Sequence, residues 1–264
     1  MHLPNNITNE PHPSFNDKRI AKALGLLKDA HSVELKLTVL DAERDSAVVQ
    51  LDLDVLHAEL RQVIFFDTPD LRLNRAGIIV RARRARKGGD AVIKLRPILP
   101  RELPNRLRRS DHFLIEIDAM PGAYVCSGTL QDSVDDEDVK AVIRGARPIR
   151  KLFSAEQRAF YADNAPRGLE LDALTPFGPI NIAKTKFDLG EDIGRTAKAE
   201  LWFYPDGSRI LELSLKCPPE KAFQRAADVK AALTRRGITL TGEQQTKTRK
   251  ALQYFAHQLA QRAA

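Results

Sequence analysis

Cationic and acidic side chains recur at every second position in seven short stretches of this 264-residue chain. Alternate residues of a β-strand point to opposite faces, so each stretch predicts a strand with one apolar and one charged face. Arginine binds phosphate oxygens through paired hydrogen bonds, whereas carboxylates beside it require a divalent ion before a phosphate can approach. The pattern therefore indicates a site for a polyanion held together with a metal. The stretches are residues 33–37, 80–83, 93–96, 115–118, 183–186, 199–202 and 211–216.

The charged residues of each stretch share one parity and therefore one face of the predicted sheet. An open sheet whose polar face meets water is one interpretation of this pattern. The charged faces are rich in Arg and Glu, and predicted helices can cover the apolar faces, so we favour charged faces that turn inward. Charges on an inward face must be paired or bound by a ligand, because isolated buried charges are costly.

Helical periodicity and turn residues place the remaining elements. A further short strand is predicted at 63–67, and helices are predicted at 17–28, at 43–60, within 125–164, at 220–236 and at 242–261. The predicted fold class is α+β. We expect a disordered tail at residues 1–16 and one domain over 17–264, with a helical insertion at about 121–177 and C-terminal helices at about 219–262.

Composition narrows the possible partners. The chain has 42 Lys and Arg against 35 Asp and Glu, a net charge of +7 that favours an anionic partner without separating nucleic acid from a small phosphate compound. Aromatic residues make up only 6%, which argues against a base-stacking platform for single strands. Cys126 and Cys217 lack metal-ligand spacing and predict reduced thiols. With no signal sequence and no long apolar run, we expect a cytoplasmic protein without a membrane partner.

Four linked motifs over residues 31–118 resemble those of the CYTH superfamily, the triphosphate tunnel metalloenzymes. Val33-Glu34-Leu35-Lys36 is similar to the Glu-x-Glu-x-Lys signature of that superfamily, and the segment from Phe65 to Leu73 resembles its Tyr-Phe-Asp-Thr-x-Asp-x-x-Leu segment. Residues 77–83 match its glycine followed by Arg-x-Arg, and residues 92–96 match its strand with a phosphate-binding lysine. The resemblance is looser over 180–217 and does not explain 121–177.

The resemblance implies an eight-stranded antiparallel β-barrel that forms a tunnel, with helices packed outside. It implies hydrolysis of inorganic triphosphate, thiamine triphosphate or nucleoside triphosphates, or cyclisation of ATP to cyclic AMP, with Mg²⁺ or Mn²⁺ as the cofactor. Glu34 and Lys36 would be catalytic residues. The phosphate-binding residues would be Arg81, Arg83, Lys94, Arg96, Lys184, Lys186 and Lys216, and the metal ligands would be Glu34, Glu116, Asp118 and Glu212.

Two positions depart from the superfamily pattern. Ser32 stands where the first Glu of the signature is expected, and Ser214 stands where the last strand would carry a second acid. Both changes weaken carboxylate ligation of a metal. His31 has the wrong parity to compensate, and we interpret His112, which has the right parity, as a residue of the tunnel mouth without a ligand role.

Two other groups of cations allow two interpretations each. Residues 245–250 open the last predicted helix, and we favour a solvated face over a role for Lys247 or Arg249 at a tunnel mouth. The arginines of the loop 97–110 either recruit an anionic ligand or are simply solvated. They are Arg101, Arg106, Arg108 and Arg109.

Metal-dependent hydrolysis of a triphosphate-containing molecule is the leading functional hypothesis. A non-catalytic protein that binds polyphosphate or nucleotide on the same barrel is the alternative that Ser32 and Ser214 motivate. An adenylate cyclase ranks lower because no stretch predicts an adenine pocket. A nucleic-acid partner has only the net charge in its favour. We expect a small triphosphate or polyphosphate as the partner, and the oligomeric state is left open, with a homodimer among the options.

Overall fold

Nine β-strands form one closed barrel in the computed structural model, which describes residues 24–86, 88–190, 196–239 and 247–263. The tail predicted at 1–16 lies outside the described residues, as does most of the helix predicted at 17–28. The strands are β1 (Ser32–Val39), β2 (Glu59–Asp67), β3 (Ile78–Ala85), β4 (Gly89–Leu95), β5 (Phe113–Met120), β6 (Ala123–Val134), β7 (Thr175–Asp188), β8 (Thr196–Phe203) and β9 (Arg209–Cys217).

The barrel is mixed, so the prediction of eight antiparallel strands is wrong in number and in direction. The order around the barrel is β1-β5-β6-β4-β3-β2-β7-β8-β9, and β9 pairs with β1 to close it. A closed ring with an odd number of strands cannot reverse direction at every step, so at least one neighbouring pair must be parallel. That pair is β1 and β5, with Ser32 opposite Glu116 and Glu34 opposite Asp118.

The strand that the sequence analysis missed is β6, which had been assigned to the helical insertion. Its outward positions include Gly128 and Leu130, which lie opposite Ile115 and Phe113 of β5. A Cβ at Gly128 would lie 2.2 Å from Cζ of the Phe113 ring. The ring of Phe113, from the neighbouring strand β5, therefore fills the space that an apolar side chain at position 128 would occupy. Apolar alternation is therefore incomplete along β6, and the period-two signal was lost. The helices of the insertion begin only after Val134.

Seven α-helices of the described chain surround the barrel, in addition to the helical residues 24–29. The helix predicted over 43–60 is much shorter, because the chain leaves the helix after Gln50 and enters β2 at Glu59. The α-helices are α1 (Arg44–Gln50), α2 (Arg72–Arg75), α3 (Asn105–Arg108), α4 (Asp136–Ile143), α5 (Ala155–Asn164), α6 (Ala222–Arg235) and α7 (Lys247–Ala263). Short 3-10 helices occur at Asp41–Glu43, Pro100–Glu102, Ile149–Leu152, Leu171–Ala173 and Pro219–Lys221.

The apolar face of the barrel points outward and is covered by these helices. In one buried cluster Ile93 of β4 groups with Val139 of α4, and in a second Leu213 of β9 groups with Leu233 of α6. Removal of this apolar surface from water is the main favourable contribution to folding. Because the helices occupy the outside, the charged faces of the strands line the interior, as predicted.

The C-terminal helix α7 closes one end of the barrel. Phe65 lies opposite Arg81 in the strand register and therefore shares its inward face, and Trp202 shares an inward face with Glu200. Ala251 and Leu252 of α7 belong to the same buried cluster as Phe65 and Trp202. The interior is thus apolar and plugged at one end and polar toward the other.

The segment from Phe65 to Leu73 turns the chain from β2 into α2. The buried Asp67 carboxylate accepts hydrogen bonds from the backbone amides of Thr68 (2.7 Å), Leu73 (2.9 Å) and Asn74 (3.0 Å). Three such bonds satisfy amides that the start of a short helix leaves unpaired. Asp67 is therefore a structural residue, and it explains why this motif requires an aspartate.

No helix among the described residues is both long and apolar enough to cross a membrane.

Candidate active site in the barrel

The strand register gathers the charged positions on one inner wall. Directly opposite residues on neighbouring strands point to the same side of a sheet. Glu34 lies opposite both Asp118 of β5 and Lys216 of β9, and Lys36 lies opposite Ser214. The same relation links Lys184 with Glu200 between β7 and β8. Residues from strands far apart in the sequence therefore meet on the inner wall of the barrel.

Three of the four predicted metal ligands form a compact acidic triad, which we define as Glu34, Glu116 and Asp118. One carboxylate oxygen from each lies within 4.8 Å of the other two. Hard divalent cations such as Mg²⁺ and Mn²⁺ prefer carboxylate oxygens, and three converging carboxylates suit such an ion. The donor set of the triad therefore fits a divalent metal.

Lysines balance the charge of the triad. The Lys36 ammonium lies 2.9 Å from Glu34 and 2.7 Å from Asp118, and Lys94 lies 3.1 Å from the second oxygen of Asp118. Lys216 contacts Glu116 at 2.8 Å. These ion pairs hold the carboxylates in position.

These ion pairs determine the protonation of Asp118, Lys36 and Glu34. Burial by itself would raise the pKa of Asp118, but Lys94 and Lys36 outweigh it and hold that pKa well below its usual range. Burial likewise opposes the charged form of Lys36, yet Glu34 and Asp118 raise the pKa of its ammonium. The pKa of Glu34 is lowered, chiefly because Lys36 overcomes the effect of burial. These three groups are therefore charged at neutral pH.

Ser32 contributes to the triad without replacing the missing acid. Its hydroxyl donates a hydrogen bond to the Glu116 carboxylate at 3.1 Å. His31 does not substitute, since its amide and ring nitrogen pair with the backbone of Ile115. The triad therefore has one acid fewer than the superfamily signature at this end of β1.

Arg81 differs from Arg83 because no described carboxylate forms an ion pair with it, although the charges of Asp90, Glu200 and Glu34 act on it. Arg83 pairs with Asp90 at 2.8 Å, whereas no ion pair joins Arg81 to any carboxylate in the described part of the chain. The Arg81 Nε is buried and has no hydrogen-bond partner. Burial, reinforced by the charge of Arg83, lowers the pKa of Arg81 to about 10, so the guanidinium remains charged at neutral pH. It is the strongest candidate for a ligand-binding cation.

Other predicted cations lie along the same wall. Lys186 lies opposite Lys198, so two like charges face each other on adjacent strands. Burial lowers the pKa of Lys184, and the nearby charges of Arg61 and Lys198 lower it further. Burial also lowers the pKa of Arg96. Like charges held together on one wall favour an anion between them.

Glu212, the fourth predicted metal ligand, does not join the triad in the described structure. It lies opposite Glu200, and the Lys247 ammonium of α7 contacts both carboxylates, at 2.7 Å from Glu212. The favoured interpretation of residues 245–250 as a solvated face is therefore wrong for Lys247, which points into the barrel, while residues 245 and 246 lie outside the described part. Arg249 is exposed.

A polar cavity of about 780 Å³ lies beside the turn between β3 and β4, and its lining combines Arg61, Arg83 and Asp90 with residues outside the barrel such as Leu152 and Phe153. His112 is exposed in an adjoining recess, as expected for a residue of the mouth. Two of the loop arginines are instead engaged outside the barrel. Arg101 pairs with Asp29 at 3.2 Å, and Arg106 pairs with Asp163.

The alternation placed Lys198 and Glu200 on the charged face of their strand, but they were given no role in the site, and Asp90 was assigned to a turn. Asp90 has the inward parity of β4 and lies opposite Arg83, so the same alternation could have identified it. What the alternation could not supply was the identity of their partners, because each ion pair depends on strand order and on the position of α7.

The chain matches no protein-family model and no curated protein sequence. Its structure is similar to that of a proposed adenylate cyclase from Bacillus halodurans, with a TM-score of 0.57 and 13% identity over 83% of this chain and 97% of that one. It is also similar to a proposed adenylyl cyclase from Hippeastrum that is described as revealing a dominant triphosphatase activity. That comparison has a TM-score of 0.54 and 14% identity over 80% of this chain and 91% of the other. At these identities the similarity concerns the fold.

Proposed function

We propose that this chain, whose closed barrel has the CYTH fold, hydrolyses a small triphosphate-containing molecule inside the barrel with the help of a divalent ion. The observation that carries the proposal is the position of an unpaired guanidinium, Arg81, on the same inner wall as a compact acidic triad. A buried cation without a partner is costly, so its position favours a bound anion. The triad supplies what a phosphate ligand also needs, a place for Mg²⁺ or Mn²⁺.

Phosphate binding is assigned to the cations of the wall. Arg81 and Lys184 lie inside the barrel, and the row continues to Lys186, which is exposed. Arg83, Lys94, Arg96 and Lys216 add charge around the triad. A chain of phosphates would enter through the polar mouth, because α7 closes the other end. Terminal phosphates would therefore lie deepest, and an organic group, where present, would remain near the mouth.

The triad is assigned to the divalent ion, with Glu34, Glu116 and Asp118 as its ligands. These carboxylates would hold the ion, which would supply Lewis-acid chemistry for phosphoryl transfer. Lys36 and Lys94 hold the Asp118 carboxylate from two sides and so fix its orientation. Such preorganisation spares the site the cost of rearranging when the ligand binds.

The bond-breaking step would depend on positioned charges. Phosphoryl transfer spreads negative charge over the oxygens of the transferring group, and cations already in place stabilise it. Arg81 and Lys94 are assigned to this charge, and Glu34, kept ionised by Lys36, is assigned to orienting the attacking water through a hydrogen bond. Glu34 and Lys36 are therefore proposed here for the catalytic roles expected from the sequence.

Phosphate release from tripolyphosphate, thiamine triphosphate and ATP, each with Mg²⁺ or Mn²⁺, tests the proposal. We expect turnover of at least one substrate and a loss of about 100-fold or more in the double variant Glu34→Gln, Glu116→Gln. Glu102→Gln, at an exposed position outside the barrel, is the matched control and should retain full activity. Equal rates in the double variant and the wild type would contradict the assigned site.

A non-catalytic binding protein is the second candidate, and it is favoured by Ser32 and Ser214 at inward positions. Calorimetry separates the two functions, since binding of tripolyphosphate without phosphate release would identify a binding protein. Absence of both binding and release would reject the two candidates together. Production of cyclic AMP from ATP would instead favour the adenylate cyclase activity, which the same assay mixture can report.

A further inference from the structure

Lys247 occupies a second acidic site inside the barrel, separate from the triad. Its ammonium contacts the carboxylates of Glu200 and Glu212 and lies 4.9 Å from the centre of the Trp202 ring. Its backbone carbonyl accepts a hydrogen bond from the Tyr204 hydroxyl at 3.0 Å, which anchors the first turn of α7. The side chain is only 16% exposed. Lys247 is therefore held in place by four residues of β8, β9 and the turn that follows β8.

Glu200 and Glu212 need a cation between them. They lie directly opposite each other on β8 and β9, and both are on the inner wall. Like charges at directly opposite positions repel each other, more strongly where water is scarce. The pKa of Glu200 is nevertheless lowered, because Lys247 outweighs the effect of burial. The Lys247 ammonium supplies the positive charge that this pair needs, and it lies close enough to contact both carboxylates.

We propose that Lys247 serves as a built-in cation where a second divalent ion could otherwise bind, so that the barrel holds one divalent ion, at the triad. Occupation of the triad rests on the proposed function, whereas the contacts of Lys247 do not. The two acidic sites differ in one respect. At both sites one ammonium lies between two carboxylates, Lys36 between Glu34 and Asp118 and Lys247 between Glu200 and Glu212, but the triad has a third carboxylate, Glu116, to offer a divalent ion.

This arrangement has a consequence for the number of metal ions that bind. A lysine belongs to the chain and cannot leave with the product, so the charge at this pair stays constant while the triad gains and loses its ion. The neutral residue Ser214, next to Glu212 on the inner face of β9, adds no ligand that would help a second ion to compete. Metal loading should then follow a single-site binding curve.

The test is the number of Mn²⁺ ions bound per chain, measured by electron paramagnetic resonance of the free ion during titration. We expect one equivalent for the wild type and two for Lys247→Met, which removes the charge but keeps an unbranched side chain. Adding Glu212→Gln to Lys247→Met should restore one equivalent. Lys250→Met, on the same helix with its ammonium 4.8 Å from the Tyr204 ring, is the matched control and should bind one.

Two equivalents in the wild type would overturn the proposal, and that measurement requires no variant to fold. One equivalent in Lys247→Met would also overturn it, provided that circular dichroism and thermal unfolding show a folded protein. Zero equivalents in the wild type would refute the metal at the triad as well. Phosphate release measured in the same samples keeps the two ideas distinct, because one bound Mn²⁺ without hydrolysis would support the cation count and reject the hydrolase.

Discussion

Gly77 and Arg96 are joined through their backbones at the plugged end of the barrel. The Arg96 amide donates a hydrogen bond to the Gly77 carbonyl at 2.8 Å, and a Cβ on Gly77 would lie 2.3 Å from the Arg96 carbonyl oxygen. Gly77 also has a φ of +78°, which other residues rarely adopt. The glycine thus allows the start of β3 to approach the end of β4, where Lys94 and Arg96 emerge.

Gly77→Ala should therefore destabilise the protein by at least about 2 kcal/mol, from backbone strain and a clash that neither strand can relieve. Urea unfolding measures the change. Gly145→Ala is the matched control, because Gly145 has a similar φ of +73° but nothing within 4 Å of the added Cβ. Its cost should be about 1 kcal/mol, the strain alone. Equal losses in the two variants would show that the contact with Arg96 is unimportant.

Arg81→Met should weaken the binding of tripolyphosphate while leaving the fold at least as stable. Removing one charge-assisted partner of a phosphate should lower the affinity by about 10- to 100-fold. The free energy of unfolding without ligand should stay constant or rise, because an unpaired buried charge is removed. Calorimetry and urea unfolding measure the two quantities.

Arg84→Met is the control for Arg81, since the two residues lie three positions apart on β3 and therefore face opposite sides, with Arg84 pointing outward. Arg84 pairs with Asp136 of α4 and with Gln62. Its substitution should leave the affinity for tripolyphosphate unchanged. A similar loss of affinity in both variants would indicate a general charge effect and contradict a specific role for Arg81.

Asp67→Asn should destabilise the protein by about 2 kcal/mol. The carboxylate accepts three backbone hydrogen bonds, and an amide would lose their charge assistance and turn a donor toward one of the amides. Thermal and urea unfolding measure the effect. The control is Asp70→Asn in the same segment, where the carboxylate is exposed and little change is expected. Comparable losses at both positions would refute the capping role.

Cys126 should resist alkylation in the native protein. The thiol is 2% exposed, and burial raises its pKa to about 11, so the reactive thiolate is scarce at pH 8.5. Cys217 is buried to the same extent. Mass spectrometry after treatment with iodoacetamide should find both thiols unmodified in buffer and modified in 6 M guanidinium chloride. Rapid native labelling of Cys126 would contradict its buried position on the outer face of β6.

The chemistry of the inner wall was largely predictable from the sequence. Residues such as Glu34, Asp118 and Arg81 were identified because the period of two is a property of a single strand. Their inward direction followed from the helices that cover the opposite face. The strand β6 was not predictable in the same way, since Gly128 contributes no apolar side chain and Phe113 of another strand fills its place.

Local order along the chain thus determined which residues share a face, where the hairpins turn and which side chains carry charge. Only the tertiary structure decided that nine strands close with one parallel pair, that Asp118 lies between Lys36 and Lys94, and that Lys247 reaches Glu200 and Glu212. The backbone of a single strand sets the alternation of its side chains. Strand register, closure of the barrel and the position of α7 instead depend on contacts between residues far apart in the sequence.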